Sequence, residues 1–188
     1  MVGNMTKLPT WAELGREGWV NRGQRRPPFA REPGPEQESV WDYPRPPRIV
    51  ADSRQVIVSF ADVEIAHTTS ALRVLETSHP PTFYLPRADV RMEHLERAAG
   101  GSRCEWKGEA TYFDLRAGGR HAARVAWSYE APFDEASVLV GHVAFYASLV
   151  DATVDGARVL PQPGRFYGGW ITPELVGPFK GEPGSEGW

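Results

Sequence analysis

The 188-residue chain carries 41% hydrophobic residues, 24% charged residues and a formal net charge of -3. That balance excludes a protein whose main task is coating nucleic acid, which needs a basic excess, and it disfavours acidic membrane surfaces. Cys104 is the sole cysteine, so no internal disulfide scaffold exists, and no apolar run reaches the ~20 residues that span a bilayer.

The first fifteen residues lack the apolar centre of a signal peptide, which predicts a cytoplasmic protein. Pro and Gly crowd into residues 23–48 and 161–188. The hydrophobic periodicity lies between them. We therefore expect an N-terminal arm at 1–48, a β-rich core at 49–160 and a C-terminal arm at 161–188. In the first arm, "TWAELGREGW" places Thr10 three residues before Glu13, the spacing of a capping box, and predicts a short helix. Eight Lys/Arg against six Asp/Glu in residues 1–48 make the arm nearly neutral, a solvated linker rather than a nucleic-acid strap.

From Arg54 the pattern alternates, with Val56, Val58 and Phe60 on one face of a strand. Ala61–Asp62 reads as a tight turn into "VEIAHT". "SALRVLE" fits a strand or one helical turn, and "TFYL" fits a short strand. "PRADVRMEHLERAAGG" predicts at best a short helix ending near Ala99 with Gly100 as its stop. "EATYFDLRAGGRHAARVAWSYE" is the clearest hairpin. Thr111, Phe113 and Leu115 face one way and Tyr112 and Asp114 the other, and Val125, Trp127 and Tyr129 share a face on the return. "DEASVLVGHVAFYASLVDA" permits a helix, but Gly141 and the β-branched and aromatic residues favour strand from His142 to Tyr146. Asp155–Gly156 marks another turn. The fold class is mainly β (α+β): a small antiparallel sheet or roll with short helices and irregular arms.

Four segments, "ALRVLETSHPPTFYLPRADVRMEHLE", "CEWKGEATYFDL", "VAWSYEAPF" and "GHVAFYASLVDA", together resemble the family called domain of unknown function 427, sometimes labelled nucleotidyltransferase-like. The resemblance covers about residues 49–155. It implies a small, mostly antiparallel β domain with short helices. The tail "FYGGWITPELVGPFKG" resembles an extension of some actinobacterial members. The chain shows no Gly-Ser plus paired-aspartate signature of nucleotide transfer, and it carries Glu130 where many members place proline.

The site expectation centres on "ETSHPP". Pro80 holds His79 in extended backbone, so the imidazole sits on a stiff stem, and Glu76 lies three residues away. A carboxylate beside an imidazole suits acid–base chemistry. The plainer role pairs Glu76 with Arg73 or Arg91 and leaves His79 to cap the turn. Lys107, beside the bare backbone of Gly108, suits an anionic group. The expected catalytic set is His79 as acid/base, Glu76 as its orienting partner and Lys107 as the anion-holding charge. Ser78, Tyr112, Trp127, Tyr129, His142 and Tyr146 complete the expected ligand-binding set. Neither a metal nor a cofactor is expected, since five histidines and Cys104 show no ligand spacing. The expected partner is a small polar or anionic molecule, with no nucleic acid and no membrane, and a homodimer stays open. The rival class is an interaction module that docks "VWDYPRPP" and "RFYGGW" on another protein.

Overall fold

The computed structural model describes residues 8–188. Residues 1–7, which open the expected N-terminal arm, lie outside the described residues. The elements in chain order are α1 (Thr10–Glu17), β1 (Glu38–Ser39), β2 (Arg48–Asp52), β3 (Val56–Phe60), β4 (Val63–Thr68), β5 (Ala71–Leu75) and β6 (Thr82–Pro86). There follow β7 (Leu95–Cys104), β8 (Gly108–Ala117), β9 (Arg120–Ser128), β10 (His142–Phe145) and β11 (Asp151–Val154). The last are β12 (Ala157–Arg158), β13 (Leu160–Pro161), β14 (Trp170–Ile171) and β15 (Leu175–Val176).

The protein is mainly β. Seven strands, ordered β2-β5-β6-β10-β9-β8-β7, form one antiparallel sheet, and β12-β11-β3-β4 form a second. The tight turns are where the sequence put them. Ala61 and Asp62 both take positive φ (49° and 62°), as do Gly118 and Gly119, and Asp155 and Gly156, the backbone that twisted hairpins require.

Side-chain alternation splits the large sheet into two faces. Phe83, Leu85, Phe113, Leu115, Val143 and Phe145 join Val56, Val58, Ile65, Ala152 and Val154 of the smaller sheet in one packed core. Their neighbours Val74, Tyr84, Tyr112, Trp127 and Ala144 point the other way into a second cluster. That second face, rich in Tyr and Trp, has no sheet over it among the described residues. The arms cover it instead.

Both arms are tied to the corner at 76–81. The amide of Ser78 donates to the Val40 carbonyl (3.1 Å), its carbonyl accepts from the Lys180 amide (2.8 Å), and the Pro81 carbonyl accepts from the Trp170 amide (2.9 Å). β1 of the first arm pairs in parallel with β15 of the second. Trp170, fully buried, stacks on Phe83 at 5.1 Å and donates its indole N–H to the Phe145 carbonyl (2.8 Å). An ionic cluster of Asp52, Arg54, Arg73, Glu38 and Glu174 bonds the arms to the edge of the large sheet.

Three local expectations change and one open alternative is decided. Residues 87–89 and 92–94 are single 3-10 turns rather than a helix, and residues 95–104 are strand. Gly100 does take positive φ (78°), but as part of an irregularity between Arg97 and Gly101 where β7 slips register on β8. Pairing with β8 overrides the weak helical pattern. Thr10 is the first helical residue, not the cap; Pro9 occupies the cap position and no side chain among the described residues caps the helix. Val125 packs into the inter-sheet core while Trp127 and Tyr129 lie on the other face. A register shift in the β8–β9 pairing, with Arg124 at positive φ (51°), resets the alternation there. Finally, "SALRVLE" is strand, since β5 is paired on both sides.

Candidate functional site

A cavity of about 260 Å³ lies between the aromatic face of the large sheet and the arms. Its floor comes from β5, β6, β8 and β9: Val74, Thr82, Tyr84, Tyr112 and Trp127. The corner supplies Glu76 and His79, and the β7–β8 connection supplies Cys104 to Lys107. The arms add Trp19, Gln162 and Phe166 to Gly168.

The sequence "FYGGW" makes this closure possible. A Cβ on Gly168 would lie 2.1 Å from the Trp127 ring, and one on Gly169 would lie 2.4 Å from the Gln162 side-chain oxygen and 2.5 Å from the Pro80 carbonyl. Two successive glycines let the second arm lie directly against the sheet face. Only bare backbone fits there.

Of the expected site residues, Glu76, His79, Lys107, Tyr112, Trp127, Tyr129 and Tyr146 all line the cavity. Ser78 does not line it. Its backbone at φ 70° and its two main-chain bonds serve the arms. Nor does His142 line it. His142 starts β10, roughly 13 Å of strand from Tyr146, and its Nδ1 contacts the Val140 carbonyl at 3.1 Å in an exposed position.

The chemistry of His79 differs from the expectation. Glu76 does not orient it. The Glu76 carboxylate accepts from the Nε of Arg45 (3.0 Å), not from Arg73 or Arg91, and the Arg45 side chain is fully buried, with its guanidinium 3.9 Å from the Trp19 ring. The orienting group is Gln162. The Gln162 side-chain oxygen accepts from the Gly169 amide (3.0 Å), and its nitrogen donates to the Lys180 carbonyl (2.9 Å) and approaches His79 Nδ1 at 2.9 Å. The first two bonds fix the amide's orientation, because a reversed amide would set two oxygens against each other. An amide nitrogen only donates, so Nδ1 must accept. The imidazole proton therefore sits on Nε2.

Nε2 is buried and has no partner among the described residues, on a side chain only 8% exposed. Burial pushes the His79 pKa well below its ordinary value, and the positive charges of Arg45, Lys107 and Lys180 push it further down. His79 is thus a neutral hydrogen-bond donor at neutral pH, without a free lone pair.

Lys107 stands half-buried over Tyr129, its ammonium 5.9 Å from the ring centre, and it forms no ion pair among the described residues. Burial pulls its pKa down, but Cys104, Tyr84 and Glu76 outweigh that and hold it above the ordinary value. The ammonium stays charged. Burial also raises the phenols: Tyr84 is pushed up to about 12, and Tyr129 and Tyr167 rise too. Lys180 is occupied elsewhere, its ammonium donating to the carbonyls of Ser185 (2.7 Å) and Glu186 (3.1 Å). Among the described residues no His, Cys, Asp and Glu side chains gather as a metal-binding group. No helix there is long and apolar enough to cross a membrane.

The family model described as Domain of unknown function (DUF427) matches residues 48–156. The chain belongs to that family. No curated protein matches it. The DUF427 region supplies the sheet floor, the corner and Lys107, whereas Trp19, Gln162 and Tyr167 lie outside it. Sequence reading missed Gln162, Trp19, Tyr84 and Tyr167. Gln162 sends no local signal, and the glycine pair of "FYGGW" was the one mark of a close approach by the second arm.

Proposed function

We propose that this DUF427 protein binds a small anionic ligand in the cavity between its sheet and its arms. One observation carries the reading: among the described residues the buried Nε2–H of His79 has no partner, and it belongs to the same cavity as the Lys107 ammonium, which forms no ion pair with them. A buried donor left without a partner costs about 1–3 kcal/mol, and a ligand oxygen would recover that cost. Lys107 adds the charge, and the protonated phenols add further donors. Two groups that could take a proton from a ligand are engaged elsewhere: Glu76 with Arg45, and His79 Nδ1 with Gln162. Such a set favours holding an anion.

A thermal-shift screen of small carboxylates and phosphates tests the reading. A ligand at 100 times its Kd adds about 2.7 kcal/mol of stability. The expected result is a stabilising compound whose effect is lost in Lys107→Met and His79→Phe. A shift that survives both substitutions, or no shift from any anion, would refute it.

A further inference from the structure

We propose that the ligand is an aromatic or heteroaromatic carboxylate with a single negative charge, an inference that rests on anion binding in the cavity described above. The first argument is size. A cavity of about 260 Å³ lies below the usual range of roughly 300–1,000 Å³ for ligand pockets, which suits one or two fused rings and not a nucleotide.

The second argument is charge. A phosphate dianion is normally held by several backbone amides or by arginine forks. Here the unpartnered donors lining the cavity, among the described residues, are neutral N–H groups, those of His79 and Trp106, with the phenols beside them and Lys107 as the one ammonium, and the carboxylates of Glu76 and Glu105 line the same cavity. Arg45 balances Glu76, and Glu105 is tied to the indole N–H of Trp19. With two carboxylates in the lining and Lys107 as the one ammonium, a monoanion is favoured over a dianion.

The third argument is the wall. Trp127 and Tyr146 form a tilted pair at 4.5 Å on the sheet side. From the arm, Tyr167 meets the His79 ring edge-on at 4.6 Å, and the Tyr146 hydroxyl reaches the Phe166 carbonyl at 3.4 Å. A ring lodged among them meets faces and edges on both sides, the geometry that favours planar aromatics over saturated rings. Tyr167 and Trp19 belong to the arms, so the arms complete an aromatic wall that Trp127 and Tyr146 of the DUF427 region begin, and the DUF427 region also holds the charge.

Calorimetric titration of the full chain with five probes tests this: benzoate, indole-3-carboxylate, cyclohexanecarboxylate, benzamide and inorganic phosphate. Benzoate or indole-3-carboxylate should bind at least ten-fold more tightly than the other three, and Tyr167→Leu should remove most of that advantage without lowering the melting temperature. Equal binding of cyclohexanecarboxylate, or binding of phosphate alone, overturns the aromatic assignment and leaves anion binding standing. Benzamide binding as well as benzoate overturns both. So does a failure of all five probes to bind.

Discussion

Replacing Gln162 with leucine should destabilise the fold far more than loss of one surface amide would. Gln162 is 5% exposed, and its side chain satisfies three buried groups at once: the Gly169 amide, the Lys180 carbonyl and His79 Nδ1. Leucine nearly matches its volume but offers none of these bonds. Each orphaned group costs about 1–3 kcal/mol, so the sum lies between roughly 3 and 9 kcal/mol. Relaxation of the arm toward water reduces this, and we expect about 3–5 kcal/mol, against about 1 kcal/mol for a typical point substitution. Urea unfolding of parent and Gln162→Leu measures the difference. Nitrogen NMR of the imidazole supplies the second reading, with the parent at pH 7 carrying its proton on Nε2. A loss under about 1 kcal/mol with an unchanged denaturant slope, or a parent imidazole protonated on Nδ1, would refute the reasoning.

The depressed pKa of His79 makes stability depend on pH in a defined window. The unfolded chain takes up a proton near 6.5 and the folded chain only well below it, so stability is lost as pH falls from about 6.5, by up to ~1.4 kcal/mol per pH unit. Above that value the histidine has no effect. His79→Phe should flatten this slope between pH 6.5 and 5, and parallel curves for parent and variant would rule the account out. Trp170→Ala should cost about 3–5 kcal/mol, because the indole is fully buried against Phe83 and bonded to the Phe145 carbonyl. A cost below about 1 kcal/mol, measured by the same unfolding curves, would mean the second arm is only loosely docked.

The strands and turns from Val56 to Gly156 were legible in the chain because their causes are local. Alternation at period two makes Val56, Val58 and Phe60 face the core, and positive-φ pairs such as Gly118–Gly119 sit where the hairpins need them. Where two local tendencies were closely matched, pairing decided. Residues 95–104 became strand because β8 offered a ladder, and Thr10 did not cap its helix because Pro9 already held that position.

Part of the cavity lining was legible too, since Glu76, His79, Lys107, Tyr112, Trp127 and Tyr129 occur in polar or aromatic positions that a plain core would not favour. Their roles were not. The sequence by itself determined that a stiff, polar corner at "ETSHPP" precedes an aromatic strand. It could not say which partner each group finds, because hydrogen bonds and charges act over a few ångströms of space, not of chain. Gln162 lies 83 positions from His79 and Arg45 lies 31 from Glu76. Only the folding of both arms onto the sheet brings them together, and that closure sets Gln162 beside His79 and Arg45 beside Glu76.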